Sequence, residues 1–182
     1  MVPCDGNETR LAVKAFMEKM GPCYLRTGRC AVENITDTVS GYEFELGKGA
    51  VLTKGKDVTL IACGLMVQEA LKAQKLLKEE GIQACVIDMH TIKPIDQELI
   101  LRAAKNTGAI VTCEEHNVIG GLGSAVAEVM ARADIYASQE FVGVEDVFGH
   151  SGHAFDLLEK YGLSPKAIVE KARKAIERKK DF

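Results

Sequence analysis

Residues 57–64, Asp57-Val58-Thr59-Leu60-Ile61-Ala62-Cys63-Gly64, form an unbroken apolar run that closes on glycine. A run of this kind, with no polar alternation, is the pattern of a strand covered on both faces. The pattern then repeats. Val67, Ala70, Leu71, Gln74 and Leu77 recur at helical spacing, and Gly81 sits where a left-handed residue ends a helix. Residues 84–88 read as a second strand, and 91–95 as a loop. Asp96 is a good N-cap for a helix over 97–105, which Gly108 closes. A third strand follows at 109–113, then a glycine-rich turn, a helix over 124–133 and a short fourth strand at 141–144. The tail holds a helix near 154–161 and another opened by Ser164-Pro165, an N-cap with proline at the first helical position. Strands alternating with helices of this length predict βαβ units with right-handed crossovers. The expected fold is α/β, a mainly parallel sheet with helices on both faces.

The first 56 residues break that rhythm. Residues 8–20 predict a helix with Leu11, Ala15 and Phe16 facing inward, stopped by Gly21-Pro22. Residues 23–26 predict a short strand, 27–40 an irregular polar stretch, and 42–46 an alternating edge strand. One helix and one strand cannot bury their apolar faces alone. The expected organisation is therefore the tail end of another domain at 1–41, a linker or edge strand at 42–56, and a second domain at 57–182. On this reading the chain is a fragment.

Charge excludes whole classes of partner. Lys plus Arg number 23 and Asp plus Glu 26, a net of −3 over 182 residues, so no basic field draws nucleic acid. The 47% hydrophobic and 27% charged content is that of a globular chain rather than a disordered one. No apolar run approaches the roughly 18–20 residues of a membrane span, and the N-terminus does not read as a signal peptide, so a cytoplasmic protein is expected. The six cysteines, Cys4, Cys23, Cys30, Cys63, Cys85 and Cys113, contain no Cys-x-x-Cys pair. Cys63, Cys85 and Cys113 lie in apolar runs, where a free thiol packs as a small hydrophobe.

Several polar constellations invite a functional reading. Gly120-Gly121-Leu122-Gly123-Ser124 could cradle an anion on a helix N-terminus. However, the third fingerprint position is Val126, and Glu114 and Glu115 stand between strand and turn, where they would repel a phosphate. Close packing is the expected role of those glycines. Glu114 and His116 can share one face at the carboxyl end of a parallel strand, with hydrogen bonding across an interface favoured over catalysis. His150 and His153, with Asp146 nearby, lie in a glycine-flanked stretch that lacks an obvious third metal ligand, so a loop or capping role is expected. Arg26 and Arg29, in Tyr24-Leu25-Arg26-Thr27-Gly28-Arg29, suit either bidentate phosphate or carboxylate binding or a surface ion pair.

The order of these pieces resembles the C-terminal part of transketolase, from the end of the pyrimidine-binding domain through the C-terminal domain. The resemblance covers nearly the whole chain. Its carriers are Glu8-Thr9, the segment from Tyr24 to Arg29, the stretch from Gly47 to Ala62, and Ile87-Asp88-Met89-His90-Thr91-Ile92-Lys93-Pro94-Ile95-Asp96. Glu114-Glu115-His116 with Gly120-Gly121-Leu122-Gly123, Ser151-Gly152, and the segment from Leu157 to Leu163 complete it. The Lys-Pro-x-Asp and Glu-Glu…Gly-Gly-x-Gly patterns are also similar to 2-oxo-acid dehydrogenase β subunits and deoxyxylulose-phosphate synthases, which stand as alternatives. A non-catalytic interaction or regulatory module of the same fold is a further alternative.

The resemblance implies a transferase that moves a two-carbon ketol unit between sugar phosphates of the pentose phosphate pathway, using thiamine diphosphate and Mg2+ in the intact enzyme. It implies a homodimer together with the cofactor-binding half, and no nucleic-acid or membrane partner. Arg26 matches the arginine that holds the substrate phosphate. Arg29, Glu114, His116, His150 and His153 are possible interface or site-edge positions. This sequence carries no Gly-Asp-Gly followed by Asn, the family's metal–diphosphate motif. The isolated chain is accordingly expected to bind no cofactor and to be inactive.

Overall fold

The computed structural model describes residues 1–19 and 21–179. Its elements run α1 (Gly6–Glu18), β1 (Ala50–Thr53), β2 (Val58–Ala62), α2 (Met66–Glu79), β3 (Ala84–Asp88), α3 (Gln97–Thr107), β4 (Ala109–Asn117), α4 (Leu122–Arg132), β5 (Ser138–Val144), α5 (Ala154–Lys160) and α6 (Pro165–Arg178). The five strands form one sheet in the order β1-β3-β2-β4-β5. β2 lies parallel to β3 and β4, and β5 parallel to β4; only β1, on the edge, runs antiparallel.

The apolar run that opened the reading becomes β2, whose five residues are all buried, at the centre of the sheet. Alternation along the strands feeds two cores. Val58, Leu60 and Ala62 face one layer with Val86, Val111 and residues of α2 and α6. Ile61 packs with Ile87, Ile110 and residues of α3 and α4 on the other. Burying a side chain such as Leu60 or Ile61 stabilises by about 1.5–3 kcal/mol. The fold is thus α/β with a mostly parallel sheet between two helical layers, as expected.

The helix boundaries follow their capping chemistry. The Asp96 carboxylate accepts the Leu99 amide at 3.0 Å to start α3, and Gly108 ends it in the left-handed conformation at φ 63°. Pro165 opens α6, but the Ser164 side chain makes no capping hydrogen bond. Ser164 stands at the N-cap and Pro165 at the first helical position, as expected.

Other corrections concern the first 56 residues. The edge strand is β1, not residues 42–46. Tyr42 and Phe44 are instead turned onto Glu8 and His90, while Gly47, at φ 90°, redirects the chain before β1 begins. Residues 23–26 form no strand. Among the described residues their backbone pairs only with Met1, through Met1 N to Tyr24 O at 2.9 Å and Arg26 N to Met1 O at 3.0 Å, too little for a ladder. α1 begins at Gly6 rather than residue 8, because the Asp5 carboxylate accepts the Glu8 amide and caps it. Met20, the expected last helical residue, lies outside the described residues. The helix buries Glu8 and Ala12, whereas Leu11, Ala15 and Phe16 are only half-buried.

Candidate functional site

A cavity of about 570 Å3 opens where β2, β3 and β4 end, the side on which parallel α/β sheets bind ligands. Phe16, Tyr24, Leu46, Ile92, Pro94 and Leu122 give it apolar walls. Arg26, Glu114 and His116 are its polar groups foreseen from sequence, and the structure brings all three together there.

β4 continues four residues past the predicted end at Cys113, carrying Glu114 and His116 into the cavity lining. Glu114 is buried, and its carboxylate accepts the Leu122 amide at 2.7 Å and the Gly123 amide at 2.9 Å. The first turn of α4 is thus capped by this chain's own carboxylate, and the glycine-rich turn cradles that group instead of a phosphate. A Cβ on Gly121 would lie 2.0 Å from Glu114 Oε2, and one on Gly123 would lie 2.3 Å from Phe141 Cδ1, so close approach requires both glycines. Burial pushes the Glu114 carboxyl above its ordinary range, with the Gly123 and Leu122 amides pulling the other way.

His116 is exposed, and its Nδ1 lies 3.9 Å from Glu114 Oε2. That nitrogen is also 2.8 Å from the Asn117 carbonyl, which can only accept, so Nδ1 carries a proton. Arg26 is half-buried, and its Nη1 donates to the Glu115 carbonyl at 2.8 Å. Among the described residues the Arg26 guanidinium makes no other hydrogen bond, which leaves Nε and Nη2 uncommitted. A strand edge does not hold this arginine; the end of β4 does.

The remaining candidates lie elsewhere. Arg29 is exposed and outside the cavity lining. His150 Nδ1 is 2.7 Å from the Tyr161 hydroxyl, and His153 stands at the N-cap of α5 without a side-chain capping bond. Asp146 accepts from Asn117 Nδ2 at 3.0 Å and does not join the two histidines. Sequence reasoning missed two lysines in the cavity lining, Lys19 and Lys93. Lys93 was findable, because its Lys-Pro dipeptide follows a predicted parallel strand. Lys19 was not, because it ends a helix remote in sequence from every strand in the site.

Comparison with known proteins bears on the family and the fold. Residues 47–168 match the family model "Transketolase, C-terminal domain". The chain is 43% identical over 171 residues to the putative transketolase C-terminal section of Methanocaldococcus jannaschii, covering 94% of this chain and 53% of that protein. It is 44% identical over 177 residues to the 6-deoxy-6-sulfo-D-fructose transketolase subunit SqwH of a Clostridium species, covering 97% and 54%. A solved structure described as a split gene transketolase, inactive β4 tetramer, superposes with a TM-score of 0.92 at 49% identity, over 98% of this chain and 57% of that one. The chain spans about half the length of the curated relatives it matches. With the fold, the glycine-rich turn and the family model in agreement, the chain belongs to the transketolase family and carries its C-terminal domain.

Proposed function

We propose that this chain is the C-terminal portion of a thiamine-diphosphate-dependent transketolase, and that it contributes the arginine that grips the distal anion of the substrate. In this reading residues 1–41 end the pyrimidine-binding domain, 42–56 link, and 57–182 form the C-terminal domain. Its partners are a second copy of itself and the cofactor-binding half. Arg26 carries the proposal. Its fork is anchored by one nitrogen to the end of β4 and has two N–H-bearing positions left beside an apolar cavity. A guanidinium so held matches paired oxygens of a phosphate, which an ammonium meets only as a point charge. The chemistry of a sulfonate, the group named in the Clostridium relative, is the same at this contact.

The residues of this chain do not fit the cofactor's diphosphate and metal. The α4 N-terminus, the natural anion site in the cavity, is occupied by Glu114. Among the described residues, the sole cluster of three side chains able to hold a metal, Cys4, Glu8 and Asp88, is buried and outside the cavity lining. The thiamine chemistry therefore belongs to the other half, and no step of it is assigned to residues here.

Calorimetric titration of the chain alone with thiamine diphosphate and Mg2+ tests this division. We expect no binding in the micromolar range and no ketol transfer, with activity appearing on addition of the complementary half. A dissociation constant at or below micromolar for the chain alone would contradict it.

A further inference from the structure

The helix α1 is held by an uncommon group. The two residues it buries are Glu8 and Ala12, and Glu8 is 0% exposed. A helix that turns a glutamate rather than a leucine inward depends on polar contacts for its place. Glu8 Oε2 accepts the Cys4 amide at 2.6 Å, and the Tyr42 hydroxyl donates to Oε1. Facing it is Asp88, the last residue of β3, also 0% exposed. Ligand atoms of Cys4, Glu8 and Asp88 all lie within 4.8 Å of one another, yet neither Asp88 oxygen has a hydrogen-bond partner among the described residues. No Lys or Arg ion pair with either carboxylate is present among those residues. The neighbouring base is His90, with Nε2 3.9 Å from Glu8 Oε1 and Nδ1 2.8 Å from Thr91 Oγ1.

Two ionised carboxylates facing each other at 0% exposure would cost far more than their other contacts return. We propose that Glu8 and Asp88 share one proton, and that this carboxyl–carboxylate hydrogen bond latches the α1 segment onto the carboxyl end of the sheet. Asp88 carries the proton. Glu8 already accepts from two donors, whereas Asp88 has only the weak Cys4 thiol beside it, so one proton removes a charge and supplies a strong donor together. The proton comes from solvent as the helix docks, and no other bond is made or broken.

The surroundings agree. Burial, then the Glu8 charge, hold the Asp88 carboxyl well above its usual range. Burial and the neighbouring acids raise the Cys4 thiol. Tyr42 is likewise raised, by burial and by Glu8, and His90 is lowered by burial. Asp5, the remaining acid at the start of α1, is committed to the Glu8, Ile35 and Thr36 amides. The Met1 amine also acts on His90. Because docking raises the Asp88 pKa, the latch is fully present below the ordinary carboxylate range and is lost as pH rises through the docked value.

Hydrogen exchange of the 182-residue chain across pH 5–9, corrected for chemical exchange, tests the latch. The opening equilibrium of α1 is expected to rise with pH by up to about tenfold per unit, the limit for one proton, while β2 stays protected. Asp88→Asn replaces the acid's donor with an amide that does not titrate, so α1 is expected to stay protected with a flat profile. Glu8→Gln places the donor on the other side and is expected to flatten the profile as well, should Asp88→Asn fold poorly. A wild-type slope surviving in the folded variants would overturn the proposal. So would loss of α1 protection with EDTA together with stoichiometric zinc or manganese in the purified chain, which would make the cluster a cation site.

Discussion

Glu114 shows how one residue decides what a motif does. A glycine-rich turn before a helix reads equally as a phosphate cradle or a packing device, and sequence alone favoured packing through the repulsion of neighbouring acids. The structure gives a more specific reason, since the Glu114 carboxylate itself fills the cradle. Gly121→Ala should then be costly, because the added carbon would meet Glu114 Oε2 at 2.0 Å, Glu114 Cδ at 2.6 Å and the Asn117 carbonyl at 2.8 Å. We expect a loss of about 1–3 kcal/mol in urea unfolding, the usual cost of overpacking. Gly149→Ala, with nothing within 4 Å of its Cβ, should change stability by less than about 0.5 kcal/mol. Equal costs at the two positions would remove the steric account. At this scale Arg26, Glu114 and His116 were legible as chemistry-bearing residues at predicted strand ends. That Arg26 reaches the Glu115 carbonyl, 89 positions away in sequence, was not, because no local pattern encodes a contact between segments. Glu8 was legible only as part of the Glu8-Thr9 family pattern, and its buried contacts were hidden for the same reason. A helical glutamate reads as solvated until Asp88 and Tyr42 are seen around it.

Elements with strong local signals were the readable ones. β2 was visible in its unbroken apolar run, and α3 in its Asp96 cap and Gly108 stop, because those signals lie within a few residues of one another. β1 was missed, since an edge strand of four residues is defined by its partner β3 more than by its own alternation, and residues 42–46 alternate better without pairing. The α6–β5 contact was equally hidden from sequence. Glu140 of β5, with a side chain 5% exposed, accepts from Arg178 Nη1 at 2.6 Å and from Lys174 and Lys171 Nζ at 3.2 and 3.3 Å. Burial alone would raise its carboxyl, but Arg178, Lys174 and Lys171 outweigh it and hold the carboxyl below the usual range. A depressed folded value means this contribution is present above the ordinary carboxylate range and lost as pH falls through the folded value. Glu140→Gln should cost about 1.5–3 kcal/mol at neutral pH, shrinking towards zero in acid, as chemical denaturation at several pH values would show. A cost that did not shrink in acid would mean shape rather than charge holds α6.

At the scale of the whole molecule, the chain leaves large apolar side chains in water. Tyr24 is 75% exposed, Ile119 68%, Phe148 96% and Phe155 58%. Uncovered surface of this kind predicts self-association. Light scattering over a concentration series should give masses above that of one chain, and a strictly monomeric mass at high concentration would contradict the interface role. The central claim is sharper: Arg26 meets the distal anion of the substrate and nothing of the cofactor. The direct measurement is steady-state kinetics of Arg26→Ala in the enzyme reconstituted with its complementary half, comparing a phosphorylated donor with hydroxypyruvate. Losing hydrogen bonds to a charged group, about 1.5–3 kcal/mol, should weaken the phosphorylated sugar roughly 10- to 150-fold, with Arg26→Lys intermediate. Hydroxypyruvate turnover and thiamine diphosphate affinity should stay as in wild type, and Arg29→Ala should behave as wild type throughout. Equal losses on both donors in Arg26→Ala would make the arginine a structural tie to the end of β4 and contradict the account.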